Sequence, residues 1–162
     1  MKDCIEYREA QAEDEDALVG LWWSMQASHH TYDPVWYADK GEQWCKASWR
    51  AHFRRLLREE NAVVIVATRS GTPVGMIMAQ YAVRPPIYTT ERIVEIDSTV
   101  VHPDFRRTGV FKGMLSLLEE KARSAGIKAI HLVVDHRNED ARHAYRNSGF
   151  APETMGLVKW IE

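Results

Sequence analysis

An α/β (α+β) domain built on one mixed sheet is the fold class this sequence predicts, on three observations. Three apolar, β-branched runs, AVVIVAT (62–68), VGMIMAQYAV (74–83) and RIVEIDSTVV (92–101), follow one another with only turns between them. The last of them opens a strand–helix–strand unit over 92–135. Two helical segments precede the runs, so helices and strands interleave along the chain. Strands joined by a crossover helix run parallel, so 92–101 and 129–135 are expected side by side in the same direction.

Each element has its own signal. CIEYRE (4–9) reads as a short strand. Over 14–28, Leu18, Leu21, Trp22 and Met25 recur at i, i+3, i+4, i+7, one face of a helix, with Trp23 beside that stripe. Asp33-Pro34 marks a turn. A second helix over 41–59 carries Cys45, Trp49, Phe53 and Leu56 on one stripe and Arg50, Arg54, Arg55 and Arg58 elsewhere. Ser70-Gly71-Thr72-Pro73 turns the chain between the first two long strands, and Arg84-Pro85-Pro86 ends the second, because proline cannot donate to a ladder. His102-Pro103 closes the third. A helix from about 109 to 125 stops before Gly126, AIHLVVD (129–135) is a strand, and NEDARHAYRNSG (138–149) is a short helix ending at a second glycine. MGLVKWI (155–161) supplies a final strand.

The totals limit what such a domain does. A chain of 162 residues, 45% hydrophobic and 27% charged, suits a single domain spanning 1–162 with one core. A formal charge of −2 lacks the basic excess of a nucleic-acid or membrane-surface binder. The opening MKDCIEYREAQAEDED reads as too acidic for a signal or transit peptide, so none is expected, and no apolar run nears the roughly 18 residues that span a bilayer. Two cysteines, Cys4 and Cys45, form no framework and read as reduced, small hydrophobes in a cytoplasmic protein. The seven histidines show no HExxH and no pairing with cysteine, so no metal site is expected.

The chemistry concentrates in HPDFRRTGVFKGML (102–115). In a strand–helix–strand unit, ligands favour the carboxyl ends of the strands, where the crossover helix begins. A helix start leaves N–H groups unpaired and carries a partial positive charge. Gly109 lets the main chain approach a ligand, and flanking arginines add charge. Arg106-Arg107-Thr108-Gly109-Val110 therefore reads as a cradle for phosphate oxygens. The loop lacks both the GKS/T ending of a nucleoside-triphosphate loop and the GxGxxG of a dinucleotide site.

Taken with the rest of the chain, this loop resembles the GNAT superfamily of acyl-CoA-dependent N-acetyltransferases. That family's diphosphate loop, Q/R-x-x-G-x-G/A, follows a strand ending V-x-P. Here Val101-His102-Pro103 is followed by Arg106-x-x-Gly109-x-Phe111. Downstream, Asn138, Ala141, Tyr145 and Gly149-Phe150 follow the family's Asn…Ala…Tyr…Gly-Phe spacing, and IEYREAQAEDEDALVGLW resembles its first strand and helix. The departure is Phe111, where the family keeps Gly or Ala; on the stripe with Leu115, Leu118 and Ala122, its side chain is placed to pack inward.

The resemblance implies a mostly antiparallel central sheet flanked by helices, with a parallel pair at the cofactor site. It implies acetyl-CoA as co-substrate and direct transfer to a primary amine of a small molecule or peptide, with a homodimer as a common arrangement. Its cofactor residues would be the backbone of Val100 and Val101, the cradle from Arg106 through Phe111 and Lys112, then Asn138 and Tyr145. Tyr145 would protonate the leaving thiolate, since a phenol near pKa 10 outlasts a thiol near 8.5 as a proton donor. Asn138 would either bond the pantetheine arm or cap the 139–148 helix. Alternation along 92–101 puts Glu95 and Asp97 on one face, where a carboxylate can attract and deprotonate a cationic amine. Asp97, four residues before Val101, is favoured over Glu95; ion pairs with Arg84 or Arg92 are the alternative use of both. His29-His30, Tyr32, Trp36 and Tyr37 suggest an aromatic wall of the acceptor pocket, with loops 27–40 and 84–91 around it. Phe111 raises a second reading, an acyl-CoA-binding module without catalysis.

Overall fold

A computed structural model describes residues 4–161. Along the chain come β1 (Ile5–Glu9), α1 (Glu15–Ser28), α2 (Glu42–Leu56), β2 (Ala62–Arg69), β3 (Thr72–Val83), β4 (Arg92–Val101), α3 (Val110–Ser124), β5 (Ile130–Leu132) and α4 (Glu139–Arg146). The strands form one sheet in the order β1-β2-β3-β4-β5. The first three pairings are antiparallel, and β4 with β5 is parallel, as a crossover through α3 requires. The mixed, mostly antiparallel plan expected from the sequence is the one observed.

Both sheet faces are covered, which explains why β2 is an unbroken apolar run instead of an alternating one. Val63, Ile65 and Ala67 turn to α3, where Met114, Leu115 and Leu118 meet them. Val64 and Val66 turn to the other face, against Leu18 of α1 and Trp49 and Phe53 of α2. Trp49, Phe53 and Leu56 of the anticipated α2 stripe are buried; Cys45 at its start is half-buried, and Cys4 is exposed, against the expectation that both thiols pack as hydrophobes.

The arginines of α2 are not merely solvated. Arg54 forks onto Glu15 of α1 (Nε to Oε2 2.6 Å, Nη2 to Oε1 2.7 Å), and Arg50 reaches the same carboxylate at 2.7 Å. These bonds, Arg54 first, hold the Glu15 carboxyl at about 2 against the opposing pull of burial. A carboxylate lowered in the folded state adds stability in full above its ordinary value near 4.5, and loses it as pH falls toward about 2. Urea midpoints followed from pH 7 to pH 3 are therefore expected to fall less steeply in Glu15→Gln than in the parent chain.

Two sequence expectations are corrected. The strand proposed over 129–135 is paired only at Ile130–Leu132. The strand proposed over 155–161 does not form: residues 151–161 lie outside regular structure, and Met155, Leu157 and Ile161 are exposed. Apolar pattern signals a preference for burial, but a strand exists only where a hydrogen-bonding neighbour accepts it. No helix among the described residues is long and apolar enough to cross a membrane.

Candidate active site

The site begins with a miscount between two strands. On β3, Met78 faces Ser98 of β4, yet the next residue, Ala79, faces Ile96. Asp97 is the extra residue of a β-bulge. Before it, Val94 and Ile96 point to the α3 face; beyond it, Val101 packs on that face and Val100 on the α1/α2 face. The alternation read from the sequence is thus reset at Asp97, which keeps Glu95 and Asp97 on the same side while changing the parity of everything after them.

The bulge coincides with the end of pairing to β5. Glu95 faces His131 and Ile96 faces Leu132, and there the parallel ladder stops, while β4 runs on to Val101. His102 N donates to Val74 O (2.8 Å), so in the antiparallel ladder Val100 directs its N–H and C=O toward Met76, and Thr99 and Val101 turn theirs to the open side. Of the two valines proposed to hold the cofactor arm, Val101 therefore presents its main chain to the gap and Val100 does not; Thr99, which sequence reasoning missed, takes that place.

At the end of β4 lies the cradle. Arg106 Nε donates to Val101 O (3.2 Å), and Thr108 Oγ1 donates to Phe105 O (2.6 Å), fixing the loop to the strand that feeds it. Arg107 and Gly109 both adopt left-handed backbone (φ 60° and 91°). The first α3 bond from outside the helix is Gly113 N to Gly109 O (2.9 Å), and the amides of residues 107–112 form no well-aligned hydrogen bond among the described residues. Successive free N–H groups at a helix start form an anion-binding concavity. Arg106, Arg107 and Lys112 stand exposed around it, while the Val110 side chain is buried in the core, so only its main chain can contribute.

Phe111 does not obstruct this loop. Its ring packs on the α3-side core and meets Tyr145 edge-on at 5.4 Å; Phe150 closes on Tyr145 from another side at 5.7 Å. Burial pushes the Tyr145 hydroxyl above its ordinary value, and the nearby Thr99 hydroxyl opposes part of that rise. The phenol is thus protonated throughout the neutral range. Asn138 Oδ1 accepts the Ala141 amide (3.2 Å), so its helix-capping use is realised.

Neither carboxylate pairs with Arg84 or Arg92. Arg92 donates instead to Ala125 O and Arg84 to Thr90 O. Asp97 is exposed and accepts Gln80 Nε2 (2.6 Å); half-buried Glu95 lies 3.0 Å from His131 Nδ1, an imidazole N–H donating to the carboxylate. His52 of α2 is within the field of Asp97; burial first, then Arg55, whose Nη2 donates to His52 Nδ1 (3.0 Å), keep this imidazole neutral. Loop 84–91 sits at the start of β4, seven residues before Thr99, which at strand rise is about 23 Å from the open edge. It does not border this gap.

Loop 29–40 does reach it. The Tyr32 hydroxyl is pushed up by burial first, then by Asp135 and Asp140, with the charge of Arg106 opposing, and the Tyr32 carbonyl accepts from Arg137 next to Asp135. Tyr37 Oη donates to Asp135 Oδ2 (2.8 Å), and burial with that bond pushes its hydroxyl to about 12. Arg137, bound to Asp135, holds that carboxyl far below the usual range.

A sheet split open on one side, a free-amide cradle at its mouth and a buried phenol beside it define a class: mixed α/β proteins that hold an extended anionic ligand in the split. The sequence matches the model of the acetyltransferase (GNAT) family over residues 22–150, and the chain belongs to that family, an acyltransferase family. Among solved structures, the fold is shared by a transcriptional regulator from Bacillus halodurans C-125 (20% identity, 98% of this chain and 100% of that one, TM-score 0.75). It is shared by an aminoglycoside N-acetyltransferase in complex with CoA (15% identity, 100% and 97%, TM-score 0.74). A ribosomal-protein-alanine N-acetyltransferase from Brucella melitensis biovar Abortus 2308 has it too (19% identity, 98% and 100%, TM-score 0.68). No relative was found among curated protein sequences.

Proposed function

We propose that this chain transfers an acetyl group from acetyl-CoA to a primary amine by direct attack, without an acyl-enzyme. The observation that carries the reading is the run of amides at residues 107–112 that form no well-aligned hydrogen bond among the described residues, next to the open edge of β4. Both fit coenzyme A: the cradle suits its diphosphate, and the N–H and C=O groups of Thr99 and Val101 suit the amides of its pantetheine arm. Acetyl-CoA, when bound, supplies the activated acyl group. The chain's residues do the rest. Tyr145 donates its phenolic proton toward the leaving sulfur. Asp97, at the mouth of the split, attracts the ammonium and takes its proton directly or through water, with Glu95 behind it, held by His131. Neither cysteine neighbours these groups in sequence or role, in keeping with transfer in one step. Phe111, the residue that favoured an inactive module, supports the acid by packing against its ring.

Titration calorimetry tests the cradle: one coenzyme A per chain is expected. Gly109→Ala forces a side chain onto φ 91° in a position with open space around it, so the cost is backbone strain, about 1–2 kcal/mol, and not a clash. Coenzyme A affinity is expected to fall at least tenfold in that variant, because the strain is relieved by turning the amides away. Thiol release from acetyl-CoA with kanamycin A, spermidine, free amino acids and an alanine-initiated peptide then identifies the acceptor class; no release with any of them contradicts acetyl transfer.

A further inference from the structure

Residues nearly a hundred positions apart are tied together where α1 runs into α2. Tyr37 Oη donates to Asp135 Oδ2 at 2.8 Å. Arg137 grips the same carboxylate with both arms of its fork, Nε to Oδ1 and Nη2 to Oδ2 at 2.9 Å each, and its own amide adds a third bond at 2.8 Å. The remaining guanidinium nitrogen crosses back to the loop, onto the Tyr32 carbonyl and, at 3.6 Å, the Asp33 carboxylate. Asp33 in turn accepts the amides of Val35 (3.0 Å) and Trp36 (2.9 Å), so the turn that Arg137 holds is itself preformed. The Asp135 side chain is 8% exposed, which makes this a desolvated clasp and not a surface ion pair.

The clasp has a direction. Asp135 follows β5, and three residues later Asn138 caps α4, the helix that carries Tyr145. On the other side it holds 29–40, where His29 packs on Tyr32 and Tyr37 while Val35 and Trp36 stay exposed. Beyond its turns, the loop carries a His30–Asp39 pair (2.8 Å) and an edge-on contact of Trp36 with Trp160 (5.9 Å), and neither involves β5 or α4.

We infer that Asp135 and Arg137 are positioning residues that latch the 29–40 loop to the base of the Tyr145 helix and so fix the acceptor-side wall of the site. The acceptor role rests on the acetyl-transfer reading above; the latch itself does not. An amine seated against a wall that is fixed in advance loses less freedom in the complex, so the latch acts on acceptor binding more than on the chemical step.

Hydrogen exchange on the intact chain tests the latch. In Arg137→Gln, amides of 29–40 are expected to exchange at least tenfold faster, with protection in β2 and β3 unchanged; Tyr37→Phe shows a smaller effect in the same place. Arg137→Lys keeps the charge but cannot fork, and is expected to behave like Arg137→Gln. For the fastest amine of the panel named above, KM is expected to rise about tenfold with kcat within threefold, and coenzyme A affinity within twofold. Unchanged exchange in 29–40, or loss of protection across the whole sheet, overturns the latch. An unchanged KM, or no turnover of any panel amine by the parent chain, overturns the acceptor role. Failure of the parent to bind coenzyme A sinks the acetyl-transfer reading instead, and the exchange result still decides the latch.

Discussion

Tyr145→Phe is expected to lower acetyl transfer about 10²-fold or more while leaving coenzyme A affinity close to that of the parent, on the usual scale for loss of a general acid. The substitution removes one oxygen and keeps the ring. The ring is what Phe111 and Phe150 pack against, edge-on at 5.4 and 5.7 Å, so the local structure has no reason to change. The hydroxyl sits where burial raises its pKa, with Thr99 opposing in part. A raised phenol pKa means that the proton is present through neutral pH and up to pH 9, so parent turnover should show no descending limb there from this group. A thiolate leaving with an ordinary pKa near 8.5 takes a proton readily from a phenol placed beside it, as the proposed mechanism requires. Single-turnover thiol release is the direct measurement. A Tyr145→Phe chain that turns over at the parent rate would move the acid role elsewhere.

The second large effect is on stability. Phe53 is fully buried at the heart of the α1/α2 face, with its ring stacked on Trp49 at 5.1 Å and 11°. Truncation to alanine removes the contact area and leaves a cavity that the sheet on one side and α1 on the other cannot collapse to fill. Phe53→Ala is expected to cost about 3–5 kcal/mol. For a chain of this length, that corresponds to a fall of roughly 6–20 °C in Tm. The urea midpoint should drop with an unchanged slope if the native state keeps its shape.

Much of the architecture was legible because it rests on local rules. The β2 run announced a strand buried on both faces, and the Trp49–Phe53–Leu56 stripe announced the side of α2 that meets it. The start of α3 after Gly109 was legible because its signal is compact: two arginines, a glycine and an apolar helical stripe within a few residues. What failed depended on partners. The bulge at Asp97 carries no glycine or proline to betray it; it exists because β3 and β4 differ by one residue in count. The clasp at Asp135 needs the tertiary fold to bring Tyr37 to it across 98 positions, and only the Asp-x-Arg spacing at 135–137 hinted at a local fork. Arg84 and Arg92 looked like natural partners for the β4 carboxylates, yet the two residues that flank Glu95 across the sheet take that role, His131 with Glu95 itself and Gln80 with the adjacent bulged Asp97. The apolar C-terminal run shows the opposite failure: a strand-like pattern with no strand to join.

Asp97 matters for more than its carboxylate. Were that one position deleted, Ile96 and Ser98 would become successive partners of Ala79 and Met78, the count along β3 and β4 would come back into step, and the local bend that a bulge imposes on β4 would be lost, with Thr99 keeping its face. The bend beside the open edge of β4 is thus an arithmetic property of the backbone, one residue too many on a single strand. Side-chain exchange at that position leaves this count unchanged; only a change in chain length alters it.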